Sequence, residues 1–88
     1  MKIKEGFVLR TVSDSNVVIP IGRATMDLNG IIKLNRTGVL LWNRLAAGDV
    51  SEEELVQLMV DTYHIDEALA KRDVAVFLTQ LRAGNCIE

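Results

Sequence analysis

The sequence predicts an α+β domain in which three or four short antiparallel strands come first and three helices follow, gathered on one side of the sheet. Three observations carry that expectation. β-branched and apolar residues crowd two runs before residue 22, turn-forming residues punctuate the same half, and every amphipathic stripe of helical period lies after Asn35. A chain of 88 residues has room for one domain, 1–88, with a thin core. Apolar residues make up 49% and charged residues 25%, the balance of a folded protein rather than a disordered one.

The first two strands are read from "FVLRTV", 7–12, and "VVIPI", 17–21, which flank the turn-forming "SDSN". Pro20 has no N–H for a ladder, so the second strand is paired on one side only there or is ending. Asn29-Gly30 is the pair best suited to a type I′ turn, so residues 24–28 and "IIKLN" are expected to form a second hairpin, with Ile31 to Leu34 as the last strand. Asn35 is placed to cap the first helix, whose stripe is Gly38, Leu41, Trp42 and Leu45, and Gly48 to close it. Ser51 and Glu54 have the spacing of a capping box, with Val50 and Leu55 as a hydrophobic staple, and the second helix buries Leu55, Leu58, Met59 and Tyr63. Asp66 is expected to cap the third helix, Glu67 to pair with Lys71, and the stripe to run through Ala70, Val74, Phe77, Leu78 and Leu81 until Gly84-Asn85. The last two helices, joined by "HID", have helix-turn-helix proportions.

Composition excludes several functions. The longest apolar runs fall far short of the ~20 residues a membrane span needs and the amino terminus has no signal-peptide core, so a soluble, cytoplasmic protein is expected. The single cysteine, Cys86, reads as a small buried apolar residue, and with one histidine it offers no converging metal-ligand set. His64 falls in an interhelical turn, where a solvated or capping role is the default. No nucleophile elbow and no clustered phosphate-binding glycines occur. The consecutive Glu52, Glu53 and Glu54 complement the dipole of a helix start. No catalytic residues and no cofactor are therefore assigned.

What remains is a strand edge. If Ile32 and Leu34 face the helices, Ile31 lies on the opposite face beside Lys33, and an edge strand with apolar residues on both faces needs a cover. One cover is a neighbouring segment of the chain. The other is an extended peptide that adds a strand through its main chain and fits alternate side chains into pockets.

The run "IIKLNRTGVLLWNRL", the following "SEEELVQLMVDTYHID" and "ALAKRDVAVFLTQLRAGNCIE" together resemble the PqqD-like family, named for protein D of pyrroloquinoline quinone biosynthesis. The specific matches are Leu34-Asn35-x-Thr37-Gly38 entering the first helix, the D-V-x-x-F-L-x-x-L pattern from Asp73 to Leu81, and Gly84 with an apolar residue shortly after. The resemblance covers essentially the whole chain. It implies a winged helix-turn-helix-like domain that is a recognition element for ribosomally made, post-translationally modified peptides. Such a domain holds a precursor's leader segment against the last strand and presents it to a modifying enzyme, often a radical S-adenosylmethionine enzyme that carries the cofactor itself. On matching positions the implied peptide-binding residues are Ile31, Ile32, Lys33, Leu34 and Asn35 of the strand and Asp73, Val74, Phe77, Leu78 and Leu81 of the third helix.

Two other readings compete. A DNA-binding winged helix is disfavoured by charge: residues 1–44 carry seven Lys/Arg and three Asp/Glu, residues 45–88 three and nine, so the helix that would enter the groove belongs to the acidic half. A structural dimer joined edge to edge explains the same strand without a peptide. The expected state is a monomer or weak dimer that binds no nucleic acid and no membrane.

Overall fold

The computed structural model describes residues 1–22 and 32–88. The expected Asn29-Gly30 turn, the pairing of residues 24–28 and the placement of Ile31 lie outside the described residues. Within them the order is β1 (Phe7–Val12), β2 (Ser15–Pro20), β3 (Ile32–Leu34), α1 (Arg36–Ala47), α2 (Glu52–Tyr63) and α3 (Glu67–Ala83). This is the α+β order the sequence predicts.

The sheet is antiparallel with spatial order β1-β2-β3. Its first hairpin is tighter than the four-residue "SDSN" turn expected, because Val12 already pairs with Ser15 and Thr11 with Asn16. Ser13 takes the positive φ, 55°, that a two-residue hairpin loop demands, and the Thr11 hydroxyl donates to the Asn16 carboxamide oxygen at 3.0 Å. Side chains that would favour a turn are thereby held in the ladder. Pro20 ends β2 opposite Phe7, beyond the Asn16–Val18 segment that pairs with β3, so its missing N–H interrupts no β2–β3 bond.

The inner face of the sheet presents Phe7, Val18, Ile32 and Leu34 to the helices, all buried. Each helix adds its stripe to the same core: Leu41, Trp42 and Leu45 from α1, Leu55, Val56 and Met59 from α2, and Ala70, Val74, Phe77, Leu78 and Leu81 from α3. Leu58 and Tyr63, expected in the α2 stripe, pack against this core only partly buried, and Val56 takes the interior place instead.

The caps explain where the helices start and stop. Ser51 and Glu54 form the full capping box, with Glu54 N–H donating to Ser51 Oγ at 3.1 Å and Ser51 N–H to Glu54 Oε1 at 3.3 Å. His64 adopts the left-handed conformation, φ 54°, and its N–H closes α2 on Val60 O at 2.9 Å, which is the capping role. Asp66 stands at the α3 N-cap without a side-chain capping bond, and its main-chain carbonyl accepts from Ala70 N–H at 3.0 Å. At the far end Asn85 rather than Gly84 takes the positive φ, 59°, while Cys86 N–H returns to Leu81 O at 2.9 Å. The chain then pairs with its beginning: Ile3 bridges Ile87, with Lys4 N–H donating to Cys86 O at 2.8 Å and Glu88 N–H to Lys2 O at 3.1 Å.

Candidate functional site

β3 has a strand partner, β2, along one side only among the described residues. Its other side opens onto a groove of about 480 Å³ whose opposite wall is α3. The strand wall is Lys33, Leu34 and Asn35, continued by Thr37, Gly38 and Leu41 of α1; the helix wall is Asp73, Val76, Phe77 and Gln80. The apolar floor is Leu34, Leu41 and Phe77, each with no more than a few per cent of its surface exposed, whereas Val76 stands on the rim 65% exposed.

The start of α1 fixes the end of the strand. Asn35 Oδ1 accepts from Gly38 N–H at 2.9 Å and from the Thr37 hydroxyl at 2.9 Å, while Asn35 O accepts from Val39 N–H at 3.0 Å. Glycine at 38 lets the helix approach the strand closely: a Cβ there would lie 3.2 Å from Leu34 Cβ and 3.3 Å from Asn35 Oδ1, tighter than ordinary contact. The first turn of α1 therefore rests directly on the last residue of β3.

One contact crosses the groove and reveals which way the strand's main chain points. Gln80 Nε2 lies 3.5 Å from Lys33 O, a long hydrogen bond from α3 to the edge. The Lys33 carbonyl is thus turned away from β2. In an antiparallel strand the N–H and C=O of one residue point to the same side and those of its neighbours to the other. Lys33 accordingly offers both its main-chain groups to the groove, while Ile32 and Leu34 direct theirs to Val18 and Asn16 of β2. Side-chain directions follow the same alternation: Ile32 and Leu34 are buried inward and Lys33 is exposed on the outer face.

Asp73 brings a carboxylate to the groove and has Arg72 Nε 3.8 Å from its Oδ1, whereas Lys33 lines the groove with its main chain and carries its ammonium on the outer face of the strand. Such a lining supports main-chain hydrogen bonding beside apolar burial. Of the residues the sequence nominated, Lys33, Leu34, Asn35, Asp73 and Phe77 meet here, Ile32 lies beneath the strand in the core, and Ile31 is outside the described residues. Val74, Leu78 and Leu81 have no exposed surface and form the layer under the groove. Sequence reasoning did not nominate Thr37, Gly38, Leu41, Val76 or Gln80. For the α3 pair a signal existed: 73, 76, 77 and 80 follow helical spacing and so share one flank of the helix.

A three-stranded antiparallel sheet followed by three helices, with its last strand open toward the third helix, is the winged helix-turn-helix-like α+β class. The family model for coenzyme PQQ synthesis protein D matches residues 17–87, and the chain belongs to the PqqD family. Two solved structures share the fold. TbiB1 in complex with the TbiA(beta) leader peptide is 25% identical, with a TM-score of 0.76 over 100% of this chain and 95% of that one. Lasso peptide synthetase B1 complexed with the leader peptide is 22% identical, with a TM-score of 0.71 over 97% of this chain and 93% of that one. A search of curated proteins returns no significant match.

Proposed function

We propose that this protein is a non-catalytic peptide-binding domain that takes the leader segment of a ribosomally made precursor as a fourth strand on β3. The observation that carries the reading is the side of β3 that has no strand partner among the described residues, where Lys33 N–H and C=O face a groove floored by Leu34, Leu41 and Phe77. A strand added there bonds to Lys33 through its main chain and sends alternate side chains toward α3. TbiB1, which shares this fold and is in complex with a leader peptide, supports leader binding. In this reading the contact residues are Lys33, Leu34, Asn35, Asp73, Val76, Phe77 and Gln80, with Val74, Leu78 and Leu81 supporting them from below. The bound leader is presented in the cytoplasm to a modifying enzyme of the radical S-adenosylmethionine type, which holds the cofactor.

A short added strand with two or three apolar anchors reaches about micromolar affinity after its ordering cost. The test is a titration of labelled leader peptides, taken from whichever short precursor genes neighbour this one, against the native protein and Val76→Asp. Because Val76 is 65% exposed, the variant keeps its fold while placing a carboxylate on the rim, and affinity falls at least about tenfold. Equal binding by the two proteins refutes the groove.

A further inference from the structure

Resting on that reading, we infer that the groove selects a short charge pattern in its occupant: a basic residue, any residue, a large apolar residue and an acidic residue, in that order along the peptide. The sheet's existing pairs are both antiparallel, so a fourth strand running antiparallel to β3 continues the same ladder. Its residue opposite Leu34 points inward, onto Leu41, Val76 and Phe77. The next residue, opposite Lys33, points outward on the face where the Lys33 side chain is exposed, and a directly opposed carboxylate is the favourable cross-strand partner.

The basic position follows from matching the rise of helix and strand. Gln80 lies across from Lys33, so α3 passes Phe77 and then Asp73 as the strand wall passes Leu34 toward Thr37 and Leu41. From Phe77 to Asp73 is four helical residues, about 6 Å, and two strand residues span about 6.7 Å. The occupant's inward residue two positions before its apolar anchor therefore arrives beside Asp73. Arg72 approaches that carboxylate no closer than 3.8 Å, and both side chains remain substantially exposed, so a peptide cation has access. An occupant thus meets opposite charge at two places: Lys33 on the outer face of the edge, and Asp73 on the helix wall further along the groove.

Two synthetic eight-residue peptides of identical composition test this by fluorescence anisotropy in about 20 mM salt. One carries Lys, any residue, Leu, Glu in sequence; the other exchanges the Lys and the Glu. Two exposed charge pairs made in one peptide and opposed in the other give roughly a five- to tenfold preference for the first, which shrinks toward unity in 1 M salt. In the double variant Lys33→Glu/Asp73→Lys, checked for fold by circular dichroism, the preference reverses. Equal affinities for both peptides in both proteins overturn the charge assignment and leave the groove reading standing. A preference that stays unreversed in the double variant also overturns it, as does failure of both peptides to bind, whereas the groove reading itself stands or falls with the Val76→Asp leader titration.

Discussion

Replacing Lys33 by proline separates the two sides of β3. Proline removes a main-chain N–H, and the contact of Gln80 Nε2 with Lys33 O places the N–H of this residue on the groove side. The bonds to β2 run through Ile32 and Leu34, so the pairs Val18↔Ile32 and Asn16↔Leu34 survive the change. Ile32 is already extended, the conformation that a residue before proline adopts. The fold is therefore expected to lose about 1 kcal/mol, or roughly 4–8 °C in Tm for a domain of this size. An added strand loses much more. Its hydrogen bond to Lys33 N–H is worth about 0.5–1.5 kcal/mol net, and its own carbonyl, left facing a proline ring, costs about 1–3 kcal/mol more. Together these weaken leader binding by about 2–4 kcal/mol, roughly 30- to 1,000-fold. Lys33→Ala is the control, since it keeps the N–H and removes only an exposed charge, with an effect of about fivefold or less. Anisotropy titration gives the affinities and a thermal melt gives the stability. If the folded proline variant binds as tightly as Lys33→Ala, no strand is added on this edge; if proline unfolds the domain, Lys33 N–H belongs to the β2 ladder and the assigned direction is wrong.

Other outcomes follow from the same geometry. Gly38→Ala lowers Tm instead of giving the ~1 kcal/mol that alanine normally contributes inside a helix, because the new methyl meets buried Leu34 and the capping Asn35; differential scanning calorimetry decides the sign. The Cys86 thiol is fully buried, and that desolvation pushes it up from 9.0 to about 11, opposed weakly by Lys4. At pH 8 the thiolate fraction falls about a hundredfold below that of an unperturbed thiol, so alkylation by iodoacetamide slows by at least that factor until the chain unfolds. The sign of the accompanying linkage is that of an acid held neutral in the fold. The unfolded thiol ionises first, so Cys86's contribution to stability is complete below pH 9.0 and declines as pH rises toward about 11, which denaturant titrations at pH 8 and pH 10.5 measure.

Much of the scaffold was legible because its signals are local. Ser51 and Glu54 are three residues apart, Asn35 precedes the first apolar stripe, and the α3 stripe from Ala70 to Leu81 is the set of residues that α3 buries. The hairpin boundary was less so. Ser15 and Asn16 have turn chemistry, but cross-strand pairing with Val12 and Thr11 prevails over local preference. The groove was legible only in part, since periodicity marks which residues of α3 face the core and not where the core stops. Val74, Leu78 and Leu81 share a stripe with Phe77, yet only Phe77 also reaches the groove. Val76 and Gln80 sit on the flank, where an apolar residue and an amide look like ordinary surface until β3 is placed opposite them.

The short described span of β3, Ile32–Leu34, bears on time as well as affinity. Three strand residues, of which one turns its main-chain groups outward, give an incoming chain few bonds to make and few to break. At about micromolar affinity and an association rate of about 10⁶–10⁷ per molar per second, the complex dissociates at about 1–10 per second. A leader held this way is released within about a second, fast enough to cycle past a slow enzyme many times over. A longer edge would retain it for longer.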